Sequence, residues 1–144
     1  MADTFKLKIS TPTGSMLELA VEEVVLTTQK GQVGILPGHS HYVGLLGTGI
    51  LSYREAGATN AKELVTCEGF CTFTGVGENA ELQVLADIAN LPGDDYSELD
   101  LQRTDFENIV NNNSSLSDEW KAAKQSFERL QALDLMNSKQ SPLH

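Results

Sequence analysis

His39 and His41 stand one residue apart, a spacing that on a strand turns both rings to the same side. A metal site needs three or four ligands, and no nearby cysteine or carboxylate cluster completes one. The pair is therefore expected to be structural, with a hydrogen-bonded His39 and no metal. Gly31, Gly34 and Gly38 resemble a phosphate cradle only superficially. A P-loop ends in Gly-Lys-Ser/Thr, whereas here the run ends in Pro37-Gly38-His39. Its glycines are expected to supply positive φ and close backbone approach. Cys67 and Cys71 on one continuous strand would lie about 13 Å apart, beyond the roughly 7 Å between Cα atoms that a disulfide spans. Two buried free thiols are expected, although a turn at Glu68-Gly69 would bring them nearer. Asp100 and Arg103 have the i,i+3 spacing of a helical ion pair. Lys121, Lys124 and Arg129 are basic residues diluted by Asp118, Glu119 and Glu128. No nucleophile elbow and no H-E-x-x-H motif occurs.

The elements that hold these residues change type near residue 90. Phe5, Leu7 and Ile9 alternate with Lys6, Lys8 and Ser10, and Leu17, Leu19 and Val21 resume the period of two after Thr11-Pro12-Thr13-Gly14. Further short strands are expected at Val24 to Thr28, Val33 to Leu36, Tyr42 to Leu46, Ile50 to Arg54, Leu64 to Cys67, Cys71 to Thr74 and Leu82 to Leu85. Regular turn signals between them predict a sandwich or barrel. Leu91-Pro92-Gly93-Asp94-Asp95 reads as a linker. Beyond it, Ser97 and Asp100 suggest a capping box, and Tyr96, Leu99, Phe106 and Val110 share one helical face, with Arg103 in the same stripe. Asn111 to Ser115 reads as a polar loop. A second helix is expected from near Ser117, with Leu116, Trp120, Ala123, Phe127 and Leu130 as its apolar stripe. Trp120 and Phe127 are thus expected in the core of the hairpin. From Asn137 onward a disordered tail is expected. The predicted fold is an all-β sandwich N-terminal domain over 1–90, followed by a C-terminal antiparallel α-helical hairpin with its tail over 91–144.

The 144 residues suffice to bury a core without staples. A net charge of −10 argues against a nucleic-acid partner. The acid excess is even, ten acids and five bases up to Gly93 and the same after it, as a uniformly solvated surface gives. No apolar run approaches the ~18 residues of a membrane span. The first residues carry no signal-peptide pattern, so the chain is expected to remain where it is made and to reach a membrane only through a partner.

The segment Gly31-Gln32-Val33-Gly34-Ile35-Leu36-Pro37-Gly38-His39 resembles the G-x-x-G-I-x-P-G-H signature of F-type ATP synthase epsilon subunits. Gly47-Thr48-Gly49-Ile50-Leu51 is similar to the family's G-x-(I/L) strand start. Val84-Leu85-Ala86-Asp87 is similar to its V-L-A-D sandwich ending, and Leu99-Asp100-Leu101-Gln102-Arg103 to its L-D-x-x-R hairpin start. The four occur in the family's order, and the resemblance runs from about Phe5 to Met136.

The resemblance implies a non-catalytic central-stalk subunit of a proton-driven ATP synthase. Such a subunit couples rotation between the membrane c ring and gamma, and its hairpin, folded down or extended beside gamma, restrains ATP hydrolysis. The implied partners are gamma, the c-subunit ring and the catalytic alpha and beta subunits. The implied location is peripheral, on the cytoplasmic face of the bacterial inner membrane. Gly31, Gln32, Gly38, His39 and Ser40 would form the loop facing the c ring and gamma, with Gln32 where some relatives carry an acid. Lys121, Lys124 and Arg129 would meet an acidic loop of beta. No cofactor is required, but Asp100 and Arg103 match the L-D-x-x-R-A segment that binds regulatory ATP in some bacterial relatives, with Thr104 in place of the small alanine. A guanidinium fork suits phosphate oxygens. The alternatives are a free-standing β-sandwich binding module with a helical adaptor, and a hydrolase or metal enzyme.

Overall fold

Alternating apolar and polar residues build seven strands among the residues that the structure, a computed structural model, describes, namely 3–112 and 117–139. They are β1 (Phe5–Thr11), β2 (Gly14–Thr28), β3 (Gly31–Ile35), β4 (Tyr42–Leu45), β5 (Thr48–Glu55), β6 (Lys62–Thr74) and β7 (Glu81–Asn90). Three helices follow, α1 (Ser97–Asp100), α2 (Arg103–Asn112) and α3 (Asp118–Lys139). The strand order is β1-β7-β6-β5-β2-β3, with β1 also paired to β2 and β4 also paired to β6. The β1–β7 pair is parallel and the other ladders are antiparallel. Because β1 bonds both β7 and β2, the sheet turns back on itself as a two-layered sandwich. Phe5, Leu7, Ile9, Val24, Leu51 and Leu82 help fill its interior. Phe5 and Phe73 meet edge to face with ring centroids 5.3 Å apart.

Long strands serve both layers, where shorter, separate ones were expected. β2 pairs with β1 through its first half and with β5 and β3 through its second. Its pairing with β5 shifts register between Val21 and Glu23. The buried positions accordingly change from Val21 to Val24 and Leu26, an odd-to-even switch that one extra residue in a bulge produces. β6 makes the same change. Leu64 points into the interior and Val65 outward beneath the helices, but farther along Cys71 and Phe73 are the interior residues. Glu68 (φ 54) and Gly69 (φ 114) lie between. The alternative of a turn at Glu68-Gly69 takes the form of a kink inside one strand, which sends the first half of β6 to β5 and the second to β4. The kink also places the two free, buried cysteines on opposite faces: Cys71 in the sandwich interior, Cys67 accepting a hydrogen bond at its Sγ from Gln125 Nε2 of α3 (3.0 Å).

The helices lie against the outer face of β5 and β6. Ala132, Leu133 and Met136 bury against Val65, with Ile50, Tyr96 and Leu99 around them. Ser117 Oγ accepts the Trp120 N–H at 3.1 Å and so caps α3 where its start was expected. The first helix departs from expectation in two ways. Its N-cap position is Tyr96, with no side-chain capping bond, and the Asp95 carboxylate just before it accepts the Ser97 N–H (2.9 Å), so the expected Ser97 box is not what starts α1. It also breaks at Leu101-Gln102 into α1 and α2, so the hairpin arms are unequal. Asn111 and Asn112, expected in a loop, complete α2, while Asn113 to Leu116 lie outside the described residues. Asn137 to Lys139, expected in the tail, continue α3. Met136 is still buried there, and Asn137 bonds both the Leu133 carbonyl and the Gly93 N–H. Residues 140–144 of that tail lie outside the described residues.

Candidate functional site

The hairpin is closed at its base by a four-residue clasp. Arg103 opens α2 with its side chain turned back one turn, where Nε donates to Asp100 Oδ1 (2.8 Å) and Nη2 lies 2.7 Å from the same oxygen. Nη2 is also 2.9 Å from Asp134 Oδ2 on α3. The other oxygen of Asp134 accepts the Tyr96 hydroxyl at 2.8 Å. Partial burial raises the Tyr96 phenol above its ordinary pKa, and donation to Asp134 raises it further. The hydrogen bond to Asp100 holds the guanidinium more firmly protonated than usual. Asp100 and Arg103 are thus brought together as their spacing suggests. Asp134 and Tyr96, their partners, carried no signal as a pair, since only docking of α3 brings them within reach.

The residues expected in one contact loop are divided by β3. Gly31 and Gln32 start that strand, beside a turn in which Thr28 Oγ1 donates to the Gly31 carbonyl (2.6 Å). Gly38 (φ +87), His39 and Ser40 follow its other end. Four strand steps, about 13 Å, separate Gly31 from Ile35, so the two groups form opposite rims rather than one loop. His39 is the hydrogen-bonded, structural residue expected: Nδ1 donates to the Ser40 carbonyl at 2.7 Å, and the ring meets Phe73 and Tyr42 edge-on at 5.9 and 6.1 Å. His41 is exposed and neither histidine lies on a strand, so the expected same-side pair is not formed. No group of three metal-binding side chains occurs among the described residues.

The basic residues of α3 also separate. Lys121 and Lys124 are exposed along a cleft of about 370 Å³ between α3 and the sandwich, with Glu68 and Glu128 also in its wall. Lys124 Nζ sits 5.3 Å from the Trp120 ring centre, a cation–π distance. Arg129 instead donates from Nε to Asn90 Oδ1 (2.9 Å) and ties α3 to the end of β7.

One further surface was legible only as strand residues. Leu45 pairs directly with Phe70, and Phe70 with Leu85, so these three side chains form a row across β4, β6 and β7 on one face. Val43 extends it and is 75% exposed, while Phe70 is 45% exposed. The row lies beyond the β6 kink, away from the ladder that α3 covers.

The family model described as ATP synthase, Delta/Epsilon chain, beta-sandwich domain matches residues 4–92. The ATP synthase epsilon chain of Solibacter usitatus is 34% identical over 103 residues, covering 72% of this chain and 69% of the relative. That of Desulfitobacterium hafniense is 34% identical over 103 residues, covering 72% and 70%. Among solved structures, a chain of the Euglena gracilis mitochondrial ATP synthase superposes with a TM-score of 0.69 at 20% identity, covering 94% of this chain and 81% of that one. That superposition spans the sandwich and the helices and shows the fold. With a sandwich matched along its length and relatives aligned beyond it, the chain belongs to the ATP synthase delta/epsilon family as an epsilon-type chain, an accessory and not a catalytic subunit.

Proposed function

We propose that the chain is a central-stalk subunit that docks on gamma through the outer row Val43, Leu45, Phe70 and Leu85, and regulates ATP hydrolysis with its hairpin. The observation that carries this reading is that row. It is a contiguous apolar strip on an otherwise acidic protein, left open while the hairpin covers a different part of the sheet. Exposed apolar patches of this kind mark protein contacts. The rims at Gly31-Gln32 and Gly38-His39-Ser40 are the proposed contacts to the c ring. Lys121 and Lys124, exposed near the start of α3, are the proposed contacts to beta once the hairpin extends. Arg129 joins them only after leaving Asn90. The membrane is reached through these partners, and in a bacterium the complex would present this chain to the cytoplasm. A regulatory ATP at Asp100 and Arg103 would have to displace Asp134.

The test is co-purification of the tagged chain from its own cells. The wild-type chain is expected to recover gamma with alpha and beta, and Phe70→Asp to lose them while its thermal unfolding stays within a few degrees of wild type, because Phe70 faces outward. Undiminished recovery with Phe70→Asp would sink the docking face. Recovery of the wild-type chain alone would favour a free-standing binding module.

A further inference from the structure

Both oxygens of Asp134 are in use, Oδ1 by the Tyr96 hydroxyl and Oδ2 by Arg103 Nη2, and Nε of the same guanidinium is held by Asp100. One cation therefore sits between two carboxylates, which leaves the cluster with a net charge of −1. The cleft alongside, about 400 Å³, is walled by Asp95 and Glu98 as well as by Arg129, and Arg129 is bonded to Asn90. An incoming phosphate meets two acids there and one cation, Arg129, already turned by its Nε to Asn90, while the Arg103 guanidinium is held by Asp100 and Asp134. The clasp also lies over the apolar contact that docks α3, because Tyr96 of the clasp packs with Leu133, Met136 and Val65.

We propose that Asp134 is an internal anion that latches the hairpin down, taking the place on Arg103 that a phosphate would occupy, so that this chain closes its hairpin without a nucleotide. The inference rests on the reading that the hairpin has two positions. Ion pairs this exposed shift an equilibrium only modestly, but the Arg103 and Tyr96 bonds act on one carboxylate and are lost together, and a switch with nearly balanced states responds to a small change.

Cys67 provides the readout. Its thiol is covered by Gln125 of α3, whereas Cys71 lies inside the sandwich, so lifting the hairpin exposes the first thiol and not the second. In the isolated full-length chain, Asp134→Asn is expected to speed labelling of Cys67 by a thiol reagent about three- to tenfold and to leave Cys71 unchanged. Arg103→Gln should do the same, and the double variant should add little, since both remove one latch. Millimolar ATP should leave the wild-type rate unchanged and slow Cys67 labelling in Asp134→Asn, where the fork has been freed. Wild-type labelling kinetics in Asp134→Asn, additive effects of the two substitutions, or protection of wild-type Cys67 by ATP would each overturn the latch. The two-position reading is judged separately by ATP hydrolysis of the assembled complex lacking 94–144. Raised hydrolysis there, with unchanged labelling in Asp134→Asn, removes the latch and leaves the reading standing.

Discussion

At the scale of single residues, two positions hold the bends that let long strands serve both layers. Gly69 adopts φ 114 in the β6 kink, and a Cβ there would run into the Leu85 carbonyl oxygen of β7. Neither difficulty can be relieved by rotating a side chain, because both obstacles are backbone. Gly69→Ala is expected to destabilise the sandwich by roughly 2–4 kcal/mol, measured by urea unfolding. Glu22 acts at the other bend. It accepts the Gly57 N–H and pairs with Arg54 Nη1 at 3.0 Å, fastening the β2 bulge to the end of β5. The Gly57 bond and then the arginine lower its pKa below the ordinary 4.5. A group depressed in the folded state stabilises the protein above its unfolded pKa and loses that contribution as pH falls through the folded one. Glu22→Gln should therefore be less stable than wild type at pH 7, and the gap should close in acid below pH 4.5. A gap independent of pH would show that the carboxylate charge is not what matters.

At the scale of elements, the approximate positions of most strand segments, the change to helices near residue 90 and the start of α3 at Ser117 were legible because each follows from local periodicity and capping. The continuity of β2 and β6 was not. Polar or glycine residues inside a strand read as turns, and only pairing to a neighbour on each side tells a bulge from a break. The clasp was half legible for a related reason. Asp100 and Arg103 are neighbours along a helix, but Tyr96 and Asp134 meet only when α3 docks. The joint between α2 and α3 shows the same dependence on tertiary contact. The Val110 carbonyl belongs to the last turn of α2, where intrahelical donors run out, and the Trp120 indole N–H reaches it at 2.8 Å. Trp120→Phe keeps a ring and removes that donor. It should loosen the hairpin by about 1 kcal/mol, visible as faster amide hydrogen exchange in α2 with the β-strand amides unaffected.

At the scale of the whole molecule, the distribution of buried residues decides which part depends on the other. The main core is drawn from the strands, from Leu46 between β4 and β5 and from Ala80 just before β7, and no described residue of the three helices belongs to it. The helices, by contrast, bury Ala132, Leu133 and Met136 only by borrowing Val65 and its neighbours from the outer sheet face. α2 has no fully buried residue of its own, and isolated helices of ten residues are marginal in water. Stability is thus arranged in one direction: the sandwich can stand without the hairpin, and the hairpin needs a surface to rest on. A hairpin that leaves the sandwich must find another apolar surface, and in an assembled ATP synthase gamma would offer it. Deleting residues 94–144 should therefore leave a cooperatively folding sandwich that still assembles with gamma through Val43, Leu45 and Phe70, while ATP hydrolysis by the complex rises. The deletion also exposes Val65 and Ile50, so some loss of solubility is expected and separate from loss of fold. Cooperative unfolding and assembly are checked by calorimetry and co-purification, hydrolysis by phosphate release. Assembly with unchanged hydrolysis would leave the chain a structural part of the stalk and remove its regulatory role.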